Sequence, residues 1–205
     1  MRILAVLIAA CSTALGGCYM TTERIFGEAG ELLQLKPGVY SCTGQDQPMD
    51  VVVSYVKHDE GHQYSFKEAA PFASPGEAND WRWLMGTRGF HRQTESLYAT
   101  TYKLFDDNPS GNFMTQIALI REDSIVYHAY ARERGMHKVE RAIALLNDVI
   151  EESNGRQDEL VKLEGELSDL QTFVREVARR MVRNVDGEDV VEMGRCDLKY
   201  VEYNK

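Results

Sequence analysis

"GRQDELVKLEGELSDLQTFVREVARRMV", residues 155–182, decides how the chain divides. Leu160, Leu163, Leu167, Leu170, Val174, Val177 and Met181 alternate three and four residues apart. That is the spacing of one apolar seam on a continuous helix, sustained over three heptads. Gly165 falls at an outward position of such a helix, where it costs up to about 1 kcal/mol but no packing. Just ahead lies "HKVERAIALLNDVIEES" (137–153), where Val139, Ile143, Leu146 and Ile150 fall at spacings of four, three and four. Asn154-Gly155 between the two runs is a plausible helix stop. The pattern predicts a helical hairpin over residues 137–184.

Upstream the period is different. "GVYSCT" follows the turn signal Pro37-Gly38. "DVVVSYV" (50–56) is rich in β-branched residues, and "HQYSFK" follows it across the polar turn "HDEGH" (58–62). "WRWLMGTRGF" (81–90), "SLYATTYKLF" (96–105), "FMTQIALI" and "SIVYHAYA" complete about seven short strands. Short connections imply antiparallel neighbours. After "NVDGED" breaks the second helix, strand grammar returns in "GRCDLKYVEY" (194–203). Strands, then helices, then one strand predict an α+β domain. We expect an antiparallel sheet or partly closed barrel of seven to eight strands. The strands fill residues 37–131, and the final strand, 195–203, rejoins the first.

The N-terminus carries an address. Arg2 precedes the apolar run "ILAVLIAACSTAL" (3–15). Its length suits a secretory h-region and falls short of the roughly 20 residues a spanning helix needs. The run ends in "LGGC", Leu15-Gly16-Gly17-Cys18, which resembles a bacterial lipoprotein lipobox. "IAAC", ending at Cys11, fits nearly as well in letters but leaves an apolar run of only residues 3–10. The resemblance implies removal of residues 1–17 and a diacylglyceryl thioether on Cys18. Two or more acyl chains anchor stably. Residue 19 is Tyr, not the Asp that commonly retains such proteins at the inner membrane. The expected location is therefore the cell envelope, at the periplasmic face of the outer membrane. Residues 18–36 read as a tether with a short helix marked by Ile25, Ala29 and Leu32, and residues 37–205 as one globular domain.

After that processing two cysteines remain, Cys42 near the start of the domain and Cys196 near its end. In an exported chain they read as a disulfide, or else as two buried thiols. A formal charge of −9 argues against nucleic-acid binding. It also argues against an electrostatic grip on anionic lipid, so the acyl group would have to hold the membrane.

No catalytic constellation is legible. His58 and His62 stand four apart but flank a Gly in a turn, "DDNPSGN" (106–112) reads as a hairpin turn, and neither predicts a metal. We expect no metal, no cofactor and no enzyme. One constellation is more informative. Tyr98, Thr100 and Tyr102 share a strand face, His128 and Tyr130 another, Gln116 lies on a third strand, and Trp81 and Trp83 share a fourth face. If these faces converge they line an aromatic pocket with a few polar groups. Otherwise the rings are core and their hydroxyls reach the rim.

The order of tether, "PGVY" opening the first strand, antiparallel strands, late helix and final strand resembles the lipocalin-like barrels. The Trp expected after the Gly is absent, since "GVY" has Val39-Tyr40, and the two-helix insertion is larger than that family shows. The leading functional expectation is a lipid-anchored envelope protein acting as a structural or interaction module. Its partner would be another envelope protein, docking through residues 160–181. The alternative is a carrier or sensor of a small apolar ligand.

Overall fold

The computed structural model describes residues 18–43, 49–68, 87–103, 113–132, 135–152, 160–184 and 187–201. The expected signal segment 1–17, with Cys11, lies outside the described residues, as do Trp81 and Trp83.

Of the strand segments read from alternation, six are there; the seventh, 81–90, lies outside the described residues up to residue 86 and is a strand only at Thr87–Arg88. The six are β2 (Gly38–Thr43), β3 (Met49–His58), β4 (Gly61–Glu68), β7 (Leu97–Lys103), β8 (Phe113–Ile120) and β9 (Ser124–Tyr130). The final strand, β12 (Val190–Val201), begins earlier than expected. It lies between β9 and β2, antiparallel to both, and so does rejoin the first predicted strand. Two-residue strands β5 (Thr87–Arg88) and β6 (His91–Arg92) pair with β4 and β7 respectively.

Residues 18–36 are not a tether. Cys18–Thr21 form β1, inserted between β8 and a strand from the second half of the chain. Ile25, Phe26, Leu33 and Leu35 are buried, and no helix forms there. Residues 28–31 act as a strap beside the segment 87–92. Gly30 exchanges two backbone hydrogen bonds with His62 of β4 (2.8 and 3.0 Å), and the Glu31 N–H donates to the Phe90 carbonyl (2.9 Å). The approach is so close that a Cβ on Gly30 would lie 2.4 Å from the Phe90 backbone, so only glycine fits.

The helical hairpin is also corrected. The chain forms α1 (Lys138–Leu146), then strands β10 (Ile150–Glu152) and β11 (Leu160–Glu164), then α2 (Leu167–Val182). Tertiary pairing overrides the seam. In β11, Val161 and Leu163 are buried at strand spacing while Lys162 between them bonds Glu152 and Glu164 at the surface. β11 pairs with β1 on one side and β10 on the other, an outlet for backbone groups that a helix pattern does not reveal. In α1 the Asn147 side chain donates to the Ile143 carbonyl (2.9 Å), and Asp148 then turns with φ 52°. Leu146 and Ile150, read as seam positions, are 75% and 63% exposed.

The twelve described strands form one sheet in the order β10-β11-β1-β8-β9-β12-β2-β3-β4-β5, with β7 on β8 and β6 on β7. All pairings are antiparallel except β1 with β11. The sheet is mixed with helices, larger than expected, and not closed into a barrel: β5 pairs with β4 and β6 with β7, with no ladder between β5 and β6. β8 is where the sheet forks. One edge pairs with β7, while the other is shared by β1 (at Phe113–Thr115) and β9 (at Ile117–Ile120).

Two cores result, one on each face. α1 and α2 cover one with Ile143, Leu170, Phe173, Val177 and Met181 against Tyr19, Ile117, Tyr130 and Val161. The other lies inside the curl, where Tyr40, Val53, Tyr64, Phe66, Phe90 and Ile125 meet under Leu33 and Leu35. Cys42 and Cys196 are register partners on β2 and β12, joined by a disulfide with Cα atoms 4.0 Å apart.

Candidate functional site

The concave face of the curl carries the polar and aromatic cluster that pocket chemistry calls for. Arg88 on β5 extends over this face. Its guanidinium lies 4.1 Å from the Tyr102 ring centroid and 5.3 Å from that of Phe66. Its Nη1 donates to Gln116 Oε1 at 3.5 Å and to the Tyr127 hydroxyl at 3.4 Å, both long contacts to neutral oxygens. The Gln116 amide Nε2 donates to Cys18 Sγ at 3.1 Å, and the Tyr102 hydroxyl donates to Met114 Sδ at 3.0 Å. Alternation explains the grouping: Tyr102, Gln116 and Tyr127 project from neighbouring strands onto one face.

The cluster is deep and still reached by solvent. Burial pushes the Tyr102 phenol well above the usual tyrosine range and raises that of Tyr127, against the opposing pull of the Arg88 charge. Yet Arg88, Tyr102, Gln116 and Tyr127 each keep part of their surface accessible. Beside Gln116, its register partner Thr100 is fully buried, and its hydroxyl has no hydrogen-bond partner.

The predicted site residues divide accordingly. Tyr98, Tyr102 and Gln116 share the concave face, with Tyr98 one turn of the pleat away beneath Arg92, 5.2 Å from its ring. His128 and Tyr130 do not join them. They lie on the opposite face of β9, where Tyr130 belongs to the helix-covered core and stacks on His137 at 4.9 Å. Their neighbour Tyr127 takes the place assigned to them. Arg88, Phe66 and Cys18 were not legible as site residues. The alternation of β9 contained the signal for Tyr127, but not which of its two faces turns inward.

Cys18, the expected lipid attachment point, is 1% exposed inside β1. The expected docking stripe is closed as well: Leu170, Val174, Val177 and Met181 are all buried against the sheet. His62 stacks on Tyr55 at 5.5 Å in the β3–β4 hairpin. Among the described residues, no group of three His, Cys, Asp or Glu side chains is placed to hold a metal ion.

A second buried polar cluster lies on the helix side. Glu140, fully buried in the first turn of α1, accepts from the Tyr19 hydroxyl and from Arg132, with Arg132 Nε 2.8 Å from its Oε2. The His137 backbone N–H donates to the same carboxylate at 2.9 Å, completing a capping box. Burial drives the Tyr19 phenol far above its ordinary value. This cluster ties β1 to α1 and is closed to solvent, so its chemistry is structural.

The fold and the cluster define an α+β protein with an open, curled, mostly antiparallel sheet and an aromatic concave face. Set against protein-family models, curated proteins and solved structures, the chain matches none.

Proposed function

We propose that the protein is a lipid-anchored component of the bacterial cell envelope that binds a small, largely apolar ligand on its concave face. The observation that carries the ligand reading is the partly exposed aromatic and polar cluster itself: Arg88 beside the Tyr102 and Phe66 rings, with Gln116 and Tyr127 in reach of its guanidinium. Few polar groups in an aromatic lining is the composition of ligand sites. An interaction module working through residues 160–181 is less well supported, because those side chains are spent on the protein's own core. A fluorescent apolar probe tests the reading. Saturable binding that Tyr102→Ala weakens tenfold or more supports it, and no saturable binding overturns it.

The envelope address rests on the signal-like N-terminus. Lipid on Cys18 requires β1 to leave the sheet, because its Sγ lies against Gln116 and its backbone is paired on both sides. Lipid on Cys11 makes no such demand and leaves residues 12–17 as the link. The burial of Cys18 therefore favours Cys11. Peptide mass mapping of the exported protein tests both: a mature chain starting at either cysteine with a diacylglyceryl adduct supports the anchor, and an unmodified N-terminus overturns it.

A further inference from the structure

We propose that the outward surface of α1 and α2 is a membrane-contact face that takes anionic phospholipid head groups. It rests on the envelope address above, which places a bilayer within reach. The two helices pack on the same sheet face and share one core, so their outer sides form one surface. On α2, Arg175, Arg179 and Arg183 follow one another at four-residue spacing, with Arg180 beside them, and all four are exposed. Two acids lie on that side: Glu176, which already pairs with Arg179 at 2.5 Å, and Asp169 in the first turn. On α1, Lys138 and Arg141 are exposed. They meet Asp189 at 3.7 Å and Glu151 at 3.5 Å, weak pairs at the surface.

α1 also exposes apolar groups that nothing in the fold explains. Leu145 and Leu146, at the end of α1, are 77% and 75% exposed. On α1, Arg141 and Lys138 stand one and two turns before Leu145 on one helix face, which is the composition of an interfacial surface, in which leucines enter the acyl boundary and cations meet phosphates. The helix C-terminus alone accounts for Arg179 and Arg180 in the last turn of α2. It does not account for Arg175 or for the leucines of α1. Charge selects the occupant. A chain of net charge −9 is repelled by an anionic surface except where its cations are gathered, so this face also sets the orientation of the domain.

The test uses the chain from residue 12 to 205 without lipid, which contains every described residue. Adsorption is measured on vesicles of phosphatidylcholine alone and of phosphatidylcholine mixed with phosphatidylglycerol. Binding is expected to the mixed vesicles only and to be lost at high salt. At about fivefold per cation, R175A/R179A/R183A weakens it about 100-fold. L145Q/L146Q weakens it too, with unchanged salt dependence. No adsorption, equal adsorption to neutral vesicles, or adsorption indifferent to the arginines overturns the proposal, as does full competition by inorganic phosphate. Mass mapping of the exported protein tests the address separately, so failure of one reading is distinguishable from failure of the other.

Discussion

Glu140 illustrates how one residue commits the fold. Its carboxylate binds Tyr19 of β1, Arg132 after β9 and the His137 amide, three separate parts of the chain. Replacing one partner of a buried ion pair leaves the other charge uncompensated, so Glu140→Gln should destabilise the protein by about 3–5 kcal/mol in denaturant titration. Nothing in "HKVERA" marks this glutamate as buried, because it lies on a helix whose other charges are solvated. His128 supplies a pH dependence. Burial holds its imidazole below the ordinary value near 6.5, with the Val126 carbonyl 3.0 Å away pulling the other way. The unfolded chain therefore takes up the proton first as pH falls. Stability should be level above about pH 6.5 and decline below it, through the lowered folded-state value. His128→Gln should flatten that slope in melts taken across the window; an unchanged slope would assign it elsewhere.

At the scale of elements, the seam of residues 160–181 was half right. Its second half forms α2 and buries Leu170, Val174, Val177 and Met181, as spacing required. Its first half became β11, because β1 and β10 offered backbone partners and Val161 and Leu163 could be buried by alternation. A leucine every three or four residues suits a short strand beside a helix as well as one long helix, and only the neighbours choose. Leu167, the first residue of α2, is 41% exposed. Leu167→Asp should therefore change stability by less than about 1 kcal/mol, helped by the helix dipole at that end. Val177→Asp, which buries an unpaired charge in the helix-covered core, should abolish cooperative unfolding. Comparable losses from both would contradict this packing. The strap is a second case. A Cβ on Gly27 would meet nothing closer than 3.7 Å, whereas one on Gly30 strikes the Phe90 backbone. Gly30→Ala should cost about 1–3 kcal/mol and Gly27→Ala little, as read by thermal melting.

Across the whole molecule, the disulfide joins β2 and β12, neighbours in the middle of the sheet that come from opposite ends of the domain. Cys42 and Cys196 are 154 residues apart in sequence, so the bridge should be worth about 5 kcal/mol in the chain-entropy account. Reduction, or C42S/C196S, should lower the denaturant midpoint accordingly without changing the secondary structure seen by circular dichroism. The sequence by itself determined six of the strand segments between residues 37 and 131, the helix over the second half of the seam, the return of the last strand to the first, and the cysteines available to staple them. These follow from local periodicity and from simple counting. Only the tertiary structure decided that β1 fills a fork in β8, that β11 is a strand, and that Tyr127 rather than His128 joins the cluster around Arg88. Each of these depends on which partner satisfies a backbone edge or covers a face. A period of two says that a strand has two faces, while the curvature of the assembled sheet decides which of them is inside.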